Sequence, residues 1–331
     1  MRIEKLKVNH FETPVGIDVS RPTFSFCVSG EGRGKIIKTR IQIAEDKGFL
    51  NVVYDSGERE DISPLSFTPN AKLYGGKRYF WRVIVVNDNG EEASGESYFE
   101  GGRAEKEWDL PWITTAGDNR KSAAFCRNFY ADKTDGARLY ITALGLYEAY
   151  INGKKVGDEF FTPFCDDYRY IIQYQTYDVT SLLKSGENEI VVLTGNGWFG
   201  GRYPTGENGD GMFGNGFFLS CELASGGERI LQTDENWREI KSPILFSEIY
   251  DGEIYDGEKE IFDEIGKIKT DVLKCVSPVK IASAPSGKVI PRISSRVTAK
   301  ERYAPTLITT PKGETVLDFG REITGWVEFY C

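Results

Sequence analysis

The residues with the most evident chemical potential form an acidic run near residue 250. The run contains Glu248, Asp251, Glu253, Asp256, Glu258 and Glu260. Two carboxyl groups that flank a glycosidic bond can hydrolyse it, so Glu253 and Asp256 are candidates for such a pair. Carboxylates and carbonyls could instead hold Ca²⁺, which takes roughly six to eight oxygen ligands. A solvated, turn-rich face is the third interpretation, and the residues alone leave all three open.

A glycine-rich stretch offers a second possibility. Gly209, Gly211 and Gly214 have the GxGxxG spacing of a phosphate-binding loop. Such a loop needs a following helix whose N-terminus faces the phosphate. Residues 217–223 have the pattern of a strand, which argues against a dinucleotide site and favours a mobile rim loop over a ligand face.

Histidine chemistry is largely excluded. His10 is the single histidine, so a Ser-His-Asp triad, a multi-histidine zinc site and an HExxH helix are not available. The six cysteines are scattered without a CxxC pair, and we expect buried, reduced thiols.

The charge balance narrows the range of partners and compartments. The net charge is −9, from 41 basic and 50 acidic residues. No basic block stands out, so we expect neither nucleic acid nor a membrane surface as a partner. No apolar run approaches the ~18 residues of a membrane span, and the N-terminus lacks a signal-peptide core. We therefore expect a cytoplasmic protein.

The sequence pattern predicts that the elements which position the acidic and glycine-rich residues are β-strands. Abundant glycine, at 36 residues, and the lack of helical apolar stripes predict an all-β fold. The densest pattern lies in residues 137–201. There Asn152-Gly153 ends a strand with a strong type I′ hairpin signal, and another strand ends at Gly195-Asn196-Gly197-Trp198.

Residues 1–102 have the pattern of a fibronectin-III-like sandwich. Four alternate residues share the apolar face of one strand: Tyr79, Trp81, Val83 and Val85. The spacing of Leu73 and Tyr79 matches a tyrosine corner, in which the phenol bonds a nearby backbone group. The following linker contains Trp108 and Trp112, which we expect to seal the junction between domains.

Several stretches together resemble one family. They are NHFETPVGIDVSRPTFSF, YDSG, RYFWRV, GLYEAYINGKKVGD, TPFCDDYRYIIQYQTYDVTSLL, GNGWFGG, YDGEIYDGE and VLDFGREITGWV. In this order they are similar to the N-terminal non-catalytic region of bacterial α-L-rhamnosidases. Glu258 stands where that family has an arginine.

The resemblance implies tandem β-sandwiches. It places a fibronectin-III-like sandwich at residues 1–102, a jelly-roll-like domain of carbohydrate-binding type at 103–284, and the incomplete start of a further β domain at 285–331. In such enzymes the catalytic carboxylates lie in a helical (α/α)₆ barrel that follows. We therefore expect an accessory region, inactive alone, whose parent hydrolyses terminal α-L-rhamnose with inversion. Its expected partners are that barrel and a rhamnose-containing carbohydrate.

The resemblance also suggests a ligand site. Some members hold rhamnose with the help of Ca²⁺ in this kind of domain, which points to Asn152, Asn196 and Trp198. Amide groups can meet vicinal hydroxyls, and an indole can cover a pyranose face. Asp166, Asp167, Glu253 and Asp256 are further sugar-binding candidates. The alternative is that Asn152 and Asn196 are turn residues, since each precedes glycine.

Two other functions stay open. The chain could be a stand-alone carbohydrate-binding or protein-interaction module, or a short hydrolase that uses the acidic run. A homo-oligomer is also possible.

Overall fold

The computed structural model describes residues 1–30, 34–104, 107–116, 122–201, 211, 213–264, 266–269, 271–274 and 276–328, with the backbone alone at residue 274. Strands dominate, and the helical elements in this part of the chain are single 3₁₀ turns at Thr180–Leu182, Gly257–Lys259 and Val272–Lys274. The predicted all-β class is confirmed. Among the described residues no helix has the length and apolar character of a membrane span.

Within residues 1–30 and 34–104, the first sandwich contains seven strands. They are β1 (Arg2–Val8), β2 (Val15–Ile17), β3 (Phe24–Ser29), β4 (Ile36–Ala44), β5 (Val52–Asp55), β6 (Arg78–Asn87) and β7 (Glu92–Gly101). A five-stranded sheet in the order β2-β7-β6-β4-β5 packs on the β1-β3 pair. Because alternate side chains of β6 point to one face, Tyr79, Trp81, Val83 and Val85 are all buried, as predicted.

The tyrosine corner is also confirmed. The backbone N–H of Tyr74 donates to the Tyr79 hydroxyl at 2.9 Å. The Tyr79 ring stacks on Phe99, and Phe24 meets Trp81 edge-on at 4.8 Å between centroids. These aromatic contacts fill the space between the two sheets.

The second sandwich begins after the linker. Its strands are β8 (Trp112–Thr114), β9 (Ala123–Ala131), β10 (Arg138–Leu144), β11 (Leu146–Ile151), β12 (Lys154–Lys155), β13 (Glu159–Phe160), β14 (Ile171–Asp178), β15 (Gly186–Gly195), β16 (Phe218–Ser225), β17 (Glu228–Gln232), β18 (Arg238–Lys241), β19 (Ile244–Glu248), β20 (Gly252–Tyr255), β21 (Ser277–Pro278), β22 (Lys280–Ala282), β23 (Lys288–Pro291) and β24 (Val297–Thr298). The last two strands are β25 (Thr306–Thr309) and β26 (Thr315–Asp318).

Two sheets enclose the core of this sandwich. One has the order β22-β8-β16-β10-β14-β23, with β17 beside β16, and the other has the order β12-β11-β15-β9-β18-β21. Leu139, Ile141 and Ala143 of β10 are completely buried between them. The predicted hairpin turn is present, with φ of +49° at Asn152 and +76° at Gly153. It joins β11 to β12.

The segment after residue 284 stays in contact with the second sandwich. β23 pairs in parallel with β14, and β24 pairs with β13. The β25-β26 hairpin leaves Leu307 and Ile308 exposed. The division into three domains at 102 and 284 remains a prediction, and the structure adds strands from residues 288–298 to the middle one.

Candidate functional site

Residues 196–201, which we call the Asn196 loop, follow β15 at one end of the second sandwich. A Cβ on Gly145, whose φ is +98°, would overlap the carbonyl oxygen of Gly195, so glycine is needed for this close approach. Asn196 is half-buried, and its side-chain amide makes no hydrogen bond within the described residues. The amide is therefore available to a polar ligand.

Aromatic rings surround Trp198 in the same loop. Its indole lies 6.2 Å from the ring centroid of Phe161 and 5.8 Å from that of Phe164. Phe161 is 44% exposed. Both phenylalanines have positive φ, +59° and +102°, a conformation that bulky residues adopt only when surrounding structure enforces it. The two phenylalanines were not predicted as site residues, although aromatic residues around Pro163 were a visible signal.

Asn152 lies at the opposite end of the strand pair that carries Asn196. The register of β11 and β15 pairs Leu146 with Gly195 at one end and Ile151 with Ile190 at the other. At about 3.3 Å per residue, the two ends are roughly 17 Å apart. The structure therefore does not bring Asn152 together with Asn196 and Trp198.

The side chain of Asn152 is committed to its turn. Nδ2 donates to the Leu182 carbonyl and to Asn188 Oδ1, each at 2.9 Å, while Oδ1 accepts the N–H of Glu189 at 3.2 Å. These bonds fit the turn-residue alternative, and sugar binding by Asn152 stays a prediction.

Calcium finds little support at these residues. Ca²⁺ ligands lie about 2.3–2.6 Å from the ion, so Asn152 and Asn196 cannot share one. Within the described residues no group of three or more histidine, cysteine, aspartate or glutamate side chains could hold a metal ion. A Ca²⁺ near Asn196 stays a prediction to which these contacts add nothing.

Asp166 is buried and holds a neighbouring strand. Its carboxylate accepts the Gln173 backbone N–H at 2.9 Å and the Gln173 Nε2–H at 2.7 Å. Burial raises the pKa of Asp166, while the two bonds to Gln173 lower it. Gln173 Oε1 in turn accepts the N–H groups of Ile293 and Ser294. Asp167, by contrast, pairs on the surface with Arg169.

The acidic side chains of the run have separate local contacts. Asp256 caps the 3₁₀ turn that follows it and pairs with Lys259 at 2.5 Å, which lowers the pKa of Asp256. Glu253 is an exposed residue of β20 whose pKa is raised by partial burial and by Glu148. Glu248 is buried and accepts the N–H groups of Tyr250 and Asp251.

The β19-β20 hairpin nevertheless borders the Asn196 loop. A Cβ on Gly195 would lie 2.9 Å from Ser247 Oγ, and one on Gly201 would lie 2.7 Å from Glu248 Oε1. The sequence did not single out Glu248 within the run. Its burial beside Gly201 could not be read from residue type alone.

The glycine-rich and cysteine predictions have mixed outcomes. Gly209, Cys275 and Cys331 lie outside the described residues. The stretch after Gly214 is the strand β16, as predicted, so no helix follows the GxGxxG spacing. Cys126 and Cys221 are buried as expected. The expectation of burial is wrong for Cys27, because this residue of β3 lies on the strand face that points away from the core of the first sandwich.

The linker tryptophans contact the second sandwich. The Trp108 Nε1–H donates to Ser220 Oγ at 2.8 Å, and its ring lies 5.0 Å from Tyr174. The Tyr174 hydroxyl accepts the backbone N–H of Arg103. Trp112 is buried in the aromatic cluster that also contains Phe199.

Comparison with known proteins gives two family matches. The family described as the α-L-rhamnosidase N-terminal domain matches residues 132–301. The family described as the Rha78A-like N-terminal immunoglobulin domain matches residues 3–105. Together the two matches account for most of the chain.

Individual relatives agree with these matches. An α-L-rhamnosidase from Formosa agariphila is 28% identical over 98% of this chain and 38% of its own length. One from Streptomyces avermitilis is 34% identical over 59% of this chain and 19% of its own length. The chain thus spans well under half of the curated relatives it matches.

Solved structures show the same arrangement. The native α-L-rhamnosidase from Aspergillus terreus has a TM-score of 0.84 at 28% identity, covering 98% of this chain and 39% of that one. The α-L-rhamnosidase from Dictyoglumus thermophilum has a TM-score of 0.79 at 27% identity, covering 97% and 38%.

Proposed function

Because the chain belongs to the α-L-rhamnosidase N-terminal domain family, we propose that it is the accessory portion of a glycoside hydrolase that removes terminal α-L-rhamnose. The observation that carries this proposal is the family match over residues 132–301, within a chain that spans 38% of a curated relative. The carboxylates that break the bond would then lie in a catalytic barrel outside these residues.

The positions of the acidic side chains support the proposal that the catalytic carboxylates lie outside these residues. Glycosidases use two carboxyl groups roughly 5–9.5 Å apart on either side of the scissile bond. Here Asp256 caps a turn, Asp166 is bonded to Gln173, and Glu248 holds the turn after β19. Carboxylates with such structural bonds are poorly placed to exchange protons with a substrate.

We further propose that the Asn196 loop contacts a rhamnose-containing carbohydrate. Its free amide can exchange hydrogen bonds with hydroxyl groups. The rings of Trp198 and Phe161 offer an apolar surface to the C–H face of a sugar. Phe161 and Phe164 already pack against the Trp198 ring, at 6.2 and 5.8 Å between centroids, so little entropy would be lost in ordering these rings on binding.

Hydrolysis by the purified chain tests the first proposal. We expect p-nitrophenyl α-L-rhamnoside incubated with the 331-residue protein to release nitrophenol at the blank rate. Release far above the blank, lost when Glu253 and Asp256 are both changed to glutamine and asparagine, would instead establish a short self-contained hydrolase.

Calorimetric titration with L-rhamnose tests the second proposal. We expect saturable heat from the wild-type chain and at least about a tenfold weaker Kd for Asn196→Ala and Trp198→Ala, as is typical of central contact residues. Tyr130→Phe, at an exposed side chain of β9, is the control and should leave Kd unchanged. Parallel titrations with Ca²⁺ and with EDTA show whether the ion contributes. If millimolar L-rhamnose produces no heat with the wild-type chain, either with Ca²⁺ or with EDTA, the Asn196 loop is not a rhamnose-binding surface.

A further inference from the structure

A cavity lies where the chain crosses between the two edges of the seven-stranded sheet. β22 and β23 occupy opposite edges of that sheet, so residues 283–287 must pass from one edge to the other. A Cβ on Gly287 would overlap the carbonyl oxygen of Tyr168, which shows how closely this crossing segment presses on the sandwich. The linker before β8 borders the same region.

The cavity encloses about 340 Å³. This volume lies within the range of small-molecule sites, roughly 300–1,000 Å³. Its walls include Trp108 of the linker, Trp112 at the start of β8, Pro285 of the crossing segment and Val289 of β23. It shares no lining residue with the Asn196 loop.

The tryptophan walls are fixed in place. Trp108 donates its indole N–H to Ser220 and packs against Tyr174 at 5.0 Å, and the guanidinium of Arg103 lies 5.6 Å from the indole centroid. Trp112 is only 2% exposed. A ligand that enters the cavity would therefore meet rigid aromatic surfaces, and little ordering entropy would be lost on binding.

Two unpaired charges of opposite sign stand beside the aromatic walls. Glu107 and Lys288, one acidic and one basic, both line the cavity and are exposed residues. Neither side chain makes a hydrogen bond or an ion pair within the described residues. One accepts hydrogen bonds and the other donates them, so together they suit a neutral ligand with several hydroxyl groups.

We propose that this cavity is a second saccharide site, which takes one ring of a neutral sugar. The apolar face of the ring would lie against an indole, and the ring hydroxyls would bond Glu107 and Lys288. The choice of a saccharide over another polyol rests on the proposed function. The crossing segment and the linker form the site jointly, so binding would stabilise the contact between them.

The experiment is an NMR titration of the whole chain labelled with ¹⁵N-tryptophan, with L-rhamnose, D-mannose and D-glucose as probes. Each indole signal is assigned by a single Trp→Phe variant. We expect a saturable shift of the Trp108 and Trp112 signals with at least one sugar, at a millimolar Kd. Glu107→Gln and Lys288→Met should each weaken that Kd by about tenfold, in line with hydrogen bonds to charged groups. Neither change removes a packed side chain, so folding should be preserved.

The outcomes separate this site from the Asn196 loop. Shifts of Trp108 and Trp112 that the two variants weaken support the cavity, whether or not Trp198 responds. Shifts confined to Trp198, or Trp108 shifts that both variants leave unchanged, overturn it. Absence of any saturable shift overturns it as well.

Discussion

Glu100 of the first sandwich and Arg138 of the second form a buried ion pair, in which Arg138 Nη2 donates to Glu100 Oε2 at 2.9 Å. The Glu100 side chain is 4% exposed and that of Arg138 is 13% exposed. Arg78 also donates to Glu100, at 3.1 Å, and Asp178 lies 3.0 Å from Arg138. This network joins β7 to β10 and fixes one sandwich against the other.

Glu100→Gln should therefore weaken the junction. The change leaves Arg138 with Asp178 as its remaining acidic partner, and loss of one partner of a buried pair costs about 3 kcal/mol. We expect urea unfolding to show that loss, with the two sandwiches unfolding in more clearly separated transitions. Glu58→Gln is the control, since the Lys38–Glu58 pair is exposed and should contribute less than about 1 kcal/mol. Equal effects of both changes would contradict an interdomain role.

The parts of the fold that follow from neighbouring residues could be predicted from the sequence. Alternation placed Tyr79 and Trp81 on one buried face, because side chains in a strand alternate strictly. The turn at Asn152-Gly153 was predictable because its two positive φ values favour those residue types. The parallel pairing of β23 with β14 could not be predicted from the sequence, because the two strands are more than a hundred residues apart in the chain. Neither strand has a local sequence pattern that identifies its partner.

The candidate site was predicted only in part. Trp198 and Asn196 lie together because they are near neighbours in the chain. The family resemblance grouped Asn152 with them, but the antiparallel register of β11 and β15 places it at the other end. The positions of the Phe161 and Phe164 rings depend on positive φ angles that the surrounding packing imposes. Residue types do not reveal those angles, so the two phenylalanines were not predicted.

Tyr79→Phe should destabilise the first sandwich. The phenol oxygen accepts the N–H of Tyr74 at 2.9 Å from within the core, and removal of one such bond costs about 1 kcal/mol. Urea unfolding should show this loss with little change in the slope of the transition. Tyr130→Phe, at a 62% exposed ring, should change the free energy of unfolding by less than about 0.5 kcal/mol. A loss of the same size in both variants would argue against the corner.

Asp55 should make the stability of the first sandwich depend on pH. Its hydrogen bonds from Arg40, and then those from Gly57 and Gln42, hold its pKa well below the ordinary value of 3.8. The unfolded chain then binds more protons than the folded chain near that pH, so stability rises with pH there and is lost as pH falls. The free-energy difference between wild type and Asp55→Asn should be full at pH 7 and shrink below about pH 4.

Urea unfolding at neutral and acidic pH measures this difference, because other titrating groups cancel between the two proteins. Asp132→Asn is the control: Asp132 is exposed and makes no hydrogen bond within the described residues. Its difference from wild type should not vary with pH. A pH-independent difference for Asp55→Asn would refute the linkage.

Glu159 fastens the segment after β23 to the second sandwich. Its Oε1 accepts hydrogen bonds from Arg292 Nη1 at 2.6 Å and from Arg296 Nε at 2.7 Å. The Glu159 side chain is 5% exposed and that of Arg292 is 15% exposed. The pair therefore lies mostly out of water, where loss of one charge leaves the other poorly compensated.

Glu159→Gln should loosen residues 292–298 without unfolding the sandwich. Gln173 still bonds the N–H groups of Ile293 and Ser294, so we expect local opening rather than release of β23. Hydrogen exchange should quicken at these amides by at least about tenfold, which corresponds to about 1.4 kcal/mol of local stability, while β14 keeps its protection. Glu148→Gln is the matched control, because Glu148 pairs with Lys155 at a more exposed position and does not touch the segment. Unchanged exchange at 292–298 in Glu159→Gln would show that β-strand pairing alone holds the segment in place.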